Sequence, residues 1–115
     1  MSKLKNKNPW PTKKVMQQIY EKNLWGNNGL PFYSGDGSHN QVFVLPYIEK
    51  LRKFFTSFDS NLSVCDLGCG DFNIGSKLVD FTRKYYAIDI VEELIHFNKE
   101  NFQLKNLEFH CLDIT

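Results

Sequence analysis

Apolar positions along the 115-residue chain change rhythm near Asn61. Before it they fall at helical spacing. Val15, Met16, Ile19, Tyr20 and Leu24 recur three to four residues apart and predict one short helix. Tyr47, Ile48, Leu51, Phe54, Phe55 and Phe58 predict a second, with Pro46 in its first turn, where a missing N–H costs nothing. Between them runs Trp25–His39, dense in Gly, Asn, Pro and Ser, which reads as an irregular loop although it carries Trp25, Phe32 and Tyr33. Loops of that length in small domains are more often functional or disordered than plain connectors.

After Asn61 short apolar runs alternate with helical faces. Leu62–Asp66 is a strand pattern running into a Gly-rich turn, and Ile74, Leu78 and Val79 give one helical face after it. Tyr85–Asp89 is a second strand, Val91, Leu94, Ile95 and Phe102 mark another helix, and Leu107–Cys111 is a third strand. Strand–helix–strand–helix–strand with short connections predicts parallel strands joined by right-handed crossovers. The expected fold class is therefore α/β, a Rossmann-like parallel sheet of three strands in the order 3-2-1, preceded by N-terminal helices.

Composition narrows the setting. A hydrophobic fraction of 42%, with 15% aromatic, is that of a globular chain. No apolar run reaches the roughly 18–20 residues of a membrane helix, and the Lys-rich start lacks the apolar centre of a secretion signal. Three cysteines without a CxxC pair argue against a disulfide scaffold or a structural zinc site. A cytoplasmic, reducing setting is expected, with no membrane and no metal. The net charge of +1 hides an asymmetry: residues 1–14 carry five lysines and no acid, while the remainder sets nine basic against thirteen acidic side chains. A basic arm on an acidic body is not the charge pattern of a dedicated nucleic-acid binder, so the arm reads as a solvated tail.

The chemistry lies in the turn Val64-Cys-Asp-Leu-Gly-Cys-Gly-Asp-Phe-Asn-Ile-Gly75. Gly68 and Gly70 sit where the first strand gives way to the next segment, a place where a ligand must approach the main chain closely. Asp89 closes the second strand 23 residues after Asp66, and Asp113 follows 24 residues later at the end of the third. An acid after the second strand can accept hydrogen bonds from ribose hydroxyls, and one after the third can reach an adenine amino group. All three acids line the carboxyl edge of the sheet, the ligand edge of open α/β folds. A dinucleotide fingerprint would need glycine at position 73, which is Asn73, and Asp66 and Asp71 would repel its pyrophosphate. A cofactor bearing a sulfonium and an ammonium group suits those carboxylates, which favours S-adenosyl-L-methionine over NAD.

Residues 64–113 resemble the first half of a class I S-adenosylmethionine-dependent methyltransferase, with Asp66-Leu-Gly-Cys-Gly70 similar to the first family motif, [DE]-x-G-x-G-x-G. The last glycine of that motif is Phe72 here. The resemblance implies that Asp66 holds the methionine end of the cofactor, that Gly68 and Gly70 contact it, and that Asp89 binds the ribose. It further implies that Ile90 packs on the adenine and that Asp113 and Ile114 face the adenine edge. Trp25-Gly26 and Ser34-Gly-Asp-Gly-Ser38 are similar to leading segments of small-molecule and glycan-modifying members. The expected organisation is a basic tail over 1–14, a cap or lid of helices and loop over 15–60, and a cofactor-binding half-domain over 61–115, truncated at its C-terminus.

The family's sheet has seven strands in the order 3-2-1-4-5-7-6, and the chain reaches only the third. The expectation is an N-terminal fragment of a methyltransferase for a small-molecule or glycan acceptor, inactive alone, with the first strand left as an edge open to self-association. A non-catalytic partner subunit is the alternative, and an NAD-binding half-domain a lesser one. Of the remaining residues, Cys65, Cys69 and Cys111 are expected as buried small apolar side chains. His96 is expected at the surface, His110 within the third strand, and His39, beside Asp36 in the loop, is the candidate general base.

Overall fold

The computed structural model describes residues 12–21 and 39–114. The expectations for Trp25, Gly26, Phe32, Tyr33 and the Ser34–Ser38 run, Asp36 included, lie outside the described residues. Helix α1 spans Thr12–Glu21, so it takes in Lys13 and Lys14. Helix α2 spans Gln41–Phe55 and starts earlier than its apolar pattern predicts. The reason is Asn40, whose Oδ1 accepts the Val42 N–H at 3.0 Å and satisfies one orphan donor of the first turn. Pro46 consequently sits in the second turn, where its ring removes the N–H that would otherwise bond the Val42 carbonyl. At the other end the Thr56 and Ser57 hydroxyls donate to Arg52 O (2.8 Å) and Phe54 O (2.7 Å), closing the helix before Phe58.

Three parallel strands follow: β1 (Ser63–Leu67), β2 (Lys84–Asp89) and β3 (Leu107–Cys111), in the order β1-β2-β3. This is the expected Rossmann-like arrangement, with β1 at an edge among the described residues. Register pairs Asp66 with Ala87 and Leu67 with Ile88, and these in turn pair with Phe109 and His110 of β3. The connection from β1 to β2 is not the continuous helix predicted from Ile74, Leu78 and Val79. It is two 3-10 turns, Gly75–Lys77 and Val79–Phe81, built from bonds such as Leu78 N–H to Gly75 O (2.9 Å) and Thr82 N–H to Val79 O (3.1 Å). The Thr82 hydroxyl and the Asn106 side-chain amide also donate to Val79 O, at 2.7 and 3.0 Å, and take that carbonyl out of α-helical pairing. Helix α3 (Glu92–Asn101) connects β2 to β3, with Glu92 and Glu93 in its first turn complementing the helix dipole.

One face of the sheet carries the core. Tyr85, Ala87 and Phe109 pack there with Leu78 and Val79 of the 3-10 segment, Ile95 of α3 and Phe55 of α2, around a fully buried Phe72. The Phe72 ring meets Tyr85, Phe102 and Phe109 edge to face at centroid distances of 5.6, 5.1 and 5.0 Å. The opposite face, with Cys65 and Leu67 of β1 beside Tyr86 and Ile88 of β2, has no helix of the described residues packed on its β1 edge, and Leu67 is 59% exposed. That overturns the expectation for the cysteines: Cys65 on this face and Cys111 at the end of β3 are exposed, and Cys69 is half-buried. Burial of a strand residue is decided by the layer above it, which the strand's own pattern does not record. His96 lies on the surface with Glu100 3.1 Å away, and His110 lies in β3, as expected. Helix α1 docks at the start of α3: Met16 packs on Ile90, Val91 and Leu94, and Lys13 Nζ stands 3.9 Å from Glu92 Oε2. Among the described residues no helix is long and apolar enough to cross a membrane, and no cluster of metal-ligating side chains forms.

Candidate cofactor site

The turn after β1 is built from left-handed residues at alternate positions: Gly68 (φ 82°), Gly70 (φ 56°) and Phe72 (φ 64°). A Cβ at Gly68 would meet no other atom within 4 Å, so the turn leaves open space beside its backbone. The first two amides of the turn, Gly68 N–H and Cys69 N–H, both donate to Ile88 O at 2.8 and 2.9 Å, which ties it to the end of β2. Gly70 is held through both of its peptide groups: its N–H donates to Asp89 Oδ2 at 3.0 Å, and its carbonyl accepts from Asn98 Nδ2 at 2.8 Å. Asp89 also accepts the Val91 N–H at 3.1 Å and is buried. Each of its oxygens keeps a second lone pair for another donor.

Asp66 occupies the next position along this edge. Its Oδ2 accepts a 2.7 Å hydrogen bond from the Tyr85 hydroxyl. Burial pushes the Asp66 carboxyl above the usual range; the Tyr85 bond opposes that shift, and the nearby Asp89 charge reinforces it. The Tyr85 phenol is itself held far above its ordinary value, by burial first and then by the charge of Asp66. Cys69 is likewise pushed up by burial, with Asp89 and Asp66 adding to it, so its sulfur is a neutral thiol rather than a nucleophile. Asp71 completes the acidic turn. Its Oδ1 accepts the Asn73 N–H at 3.1 Å and its Oδ2 lies 2.6 Å from His39 Nε2.

Between this turn and α2 opens a cavity of ≈ 680 Å³. The turn supplies Gly68, Gly70 and Asp71, the strand ends supply Asp66 of β1 and Asp89 of β2, and the facing wall is apolar, with Phe43, Val44, Tyr47 and Leu51 of α2. Four of the residues singled out in the sequence, Asp66, Gly68, Gly70 and Asp89, thus meet at one cavity. Ile90, Asp113 and Ile114 are not part of its lining. Ile90 is buried with Val91, Leu94 and Met16, while Asp113 and Ile114 are exposed just past β3, which ends at Cys111 rather than at Asp113. His39 is bonded to Asp71 instead of lining the cavity. Sequence reasoning missed two supporting residues. Asn98 left a signal, being a polar residue on the stripe of Val91, Leu94, Ile95 and Phe102, whereas Tyr85 was indistinguishable from any aromatic core position.

The chemistry of this lining fits a cationic adenosine cofactor: carboxylates at two strand ends, exposed backbone at Gly68, and an apolar wall opposite. Comparison with known proteins points the same way. Residues 58–115 match a family described as a methyltransferase domain, half of the chain, and the chain belongs to that family. Its members typically use S-adenosylmethionine. The malonyl-[acyl-carrier protein] O-methyltransferase of Acetivibrio thermocellus is 37% identical over 57 residues, which covers 48% of this chain and 20% of that protein. The chain thus spans about one fifth of the length of this curated relative. No solved structure matches it.

Proposed function

We propose that this chain holds S-adenosylmethionine in the cavity between the glycine turn and α2, as the cofactor-binding part of a methyltransferase. The observation that carries the reading is the meeting of Asp66 and Asp89, from the ends of neighbouring strands, on a cavity whose other wall is apolar. Asp66 would accept from the ammonium group at the methionine end, and the Gly68 and Gly70 backbone would lie against the same portion. Asp89 would accept from the ribose hydroxyls with its remaining lone pairs. Ile90, Asp113 and Ile114 lie outside the lining of the cavity, along the same sheet edge, and would serve an adenine that extends past it.

Bound S-adenosylmethionine supplies an electrophilic methyl group. The chain's part is to fix that group, keep water from it through the apolar wall of α2, and balance its positive charge with Asp66 and Asp71. His39, its ring oriented by Asp71, is the candidate for taking a proton from the acceptor. The matched relative is named as an O-methyltransferase of malonyl-[acyl-carrier protein], and an oxygen atom of an acyl group is the acceptor chemistry we carry over to this chain.

Calorimetric titration of the chain with S-adenosylhomocysteine and, separately, with NAD tests the reading. Binding of the first and not the second is expected, because the acidic turn repels a pyrophosphate. Binding of NAD alone overturns it.

A further inference from the structure

We propose that Asn98 is a positioning residue for the cofactor turn, a role that rests on the cofactor reading above. Asn98 begins the last turn of α3, on the apolar side of the helix, and is completely buried. Its Nδ2 donates to Gly70 O at 2.8 Å. Its Oδ1 is buried and has no hydrogen-bond partner among the described residues. The acceptor orientation is not arbitrary, since only the NH2 end of the amide can pair with a carbonyl. A buried acceptor without a partner destabilises the fold, and a leucine of similar size would suit this stripe as Leu94 does. The amide is therefore explained by what its other end does.

That other end fixes Gly70. With its carbonyl on Asn98 and its N–H on Asp89, Gly70 cannot rotate either peptide plane without breaking a bond. Both Gly70 and Asp89 line the cavity. Releasing the carbonyl lets the peptide between Gly70 and Asp71 turn, which loosens the Gly70 N–H from Asp89 and unsettles the carboxylate that faces the ligand. Asn98 acts on the ligand through Gly70, not by touching it.

The test uses the whole chain with S-adenosylhomocysteine as probe, in wild type, Asn98→Leu and Asn98→Asp, each first checked for a cooperative thermal transition. Asn98→Leu is expected to bind about three- to tenfold more weakly, the worth of one lost hydrogen bond. Asn98→Asp, compared with wild type at each pH, is expected to lose binding as the pH rises through the titration of its buried carboxyl, because the carboxylate repels the Gly70 carbonyl. It should recover towards wild type as the pH is lowered and the carboxyl becomes a donor, while Asn98→Leu shows no such recovery. A purely structural role would not produce that pH-dependent rescue. Folded variants that bind as tightly as wild type overturn the proposal. If neither variant folds, the wild-type Asn98 side-chain NH2 resonances decide it: they are expected to move on saturation with the probe, and unmoved resonances overturn it. Failure of the wild type itself to bind S-adenosylhomocysteine sinks the cofactor reading, and this proposal falls with it.

Discussion

The Tyr85 hydroxyl donates a 2.7 Å hydrogen bond to Asp66 Oδ2, so a ring of the hydrophobic core supports the carboxylate that faces the cavity. The two residues lie on adjacent strands, Tyr85 opposite Val64 and Asp66 opposite Ala87, on the same face of the sheet. Core packing and site geometry are thereby one arrangement: the Phe72 ring, edge to face with Tyr85 in the core, also fixes the direction of its hydroxyl.

Tyr85→Phe keeps the ring and removes the donor. The half-buried Asp66 carboxylate then loses a charge-assisted bond, and stability at neutral pH is expected to fall by about 1–3 kcal/mol. The Asp66 carboxyl should titrate higher still, because the bond that opposes its upward shift is gone. Urea denaturation and a carboxyl-detected NMR titration read the two effects; unchanged titration of Asp66 would contradict the role given to Tyr85.

Asp66→Asn separates stability from binding. The Asp66 pKa is raised in the folded state above 3.8. Its contribution to stability is therefore fully present below the unfolded value and lost as the pH rises through the folded one, leaving an ionised, partly desolvated carboxylate at pH 7. An amide in its place keeps an acceptor for the Tyr85 hydroxyl and carries no charge to desolvate. The expected outcome is stability at pH 7 equal to or above wild type, a flatter stability curve just above pH ~4, and markedly weaker binding of S-adenosylhomocysteine. Thermal melts across pH and a titration at pH 7 check this. Undiminished binding would remove Asp66 from the site.

How much of this was legible in the sequence depends on the range of the interaction responsible. The strands were legible because Leu62–Asp66, Tyr85–Asp89 and Leu107–Cys111 are short apolar runs bounded by turn formers, and Asp66 and Asp89 because they end two of those runs. The start of α2 was legible in principle, since Asn40 is a good N-cap residue, but the apolar spacing drew attention to Tyr47. The 3-10 form of the β1–β2 connection was not, because part of what holds it is Asn106, 27 residues away, which joins the nearby Thr82 hydroxyl on the Val79 carbonyl. Exposure of Cys65 likewise depends on what covers the sheet, and the orientation of the Tyr85 hydroxyl on the Phe72 ring packed against it.

His39 ties the start of α2 to the glycine turn through Asp71, at 2.6 Å. His39→Ala removes the imidazole and leaves no donor in its place, so the tie is expected to break at a cost of about 1 kcal/mol. The first turn of α2 should then open more often, and amide hydrogen exchange of Val44, whose N–H bonds the Asn40 carbonyl at 2.9 Å, should speed up relative to amides of β2. Equal protection in the two proteins would show that Asn40 alone holds that end.

Phe72 stands where the family motif has its last glycine, and it keeps the glycine's backbone, with φ at 64°. Left-handed backbone costs a bulky residue about 1–2 kcal/mol, so the position is strained for phenylalanine. The ring returns more than that: it is fully buried at the centre of the core, edge to face with three other rings. Gly75 is matched to it, since a Cβ there would come within 2.6 Å of the Phe72 Cδ1 atom and 3.1 Å of the Tyr85 hydroxyl. Phe72→Gly restores the motif and relieves the strain, yet deletes the ring around which the core is packed. Large aromatic truncations cost about 3–5 kcal/mol, and subtracting the relieved strain leaves a net loss of about 1–4 kcal/mol. Part of the consequence should appear at the site, because Tyr85 loses a neighbour that directs its hydroxyl at Asp66. Denaturant unfolding of Phe72→Gly is expected to show the loss, and Gly75→Ala combined with it should be milder than Gly75→Ala in wild type, where the methyl has no room. A Phe72→Gly variant as stable as wild type would show that the ring adds no more than its own strain, and that the core is held by Leu78, Val79 and Ile95 without it.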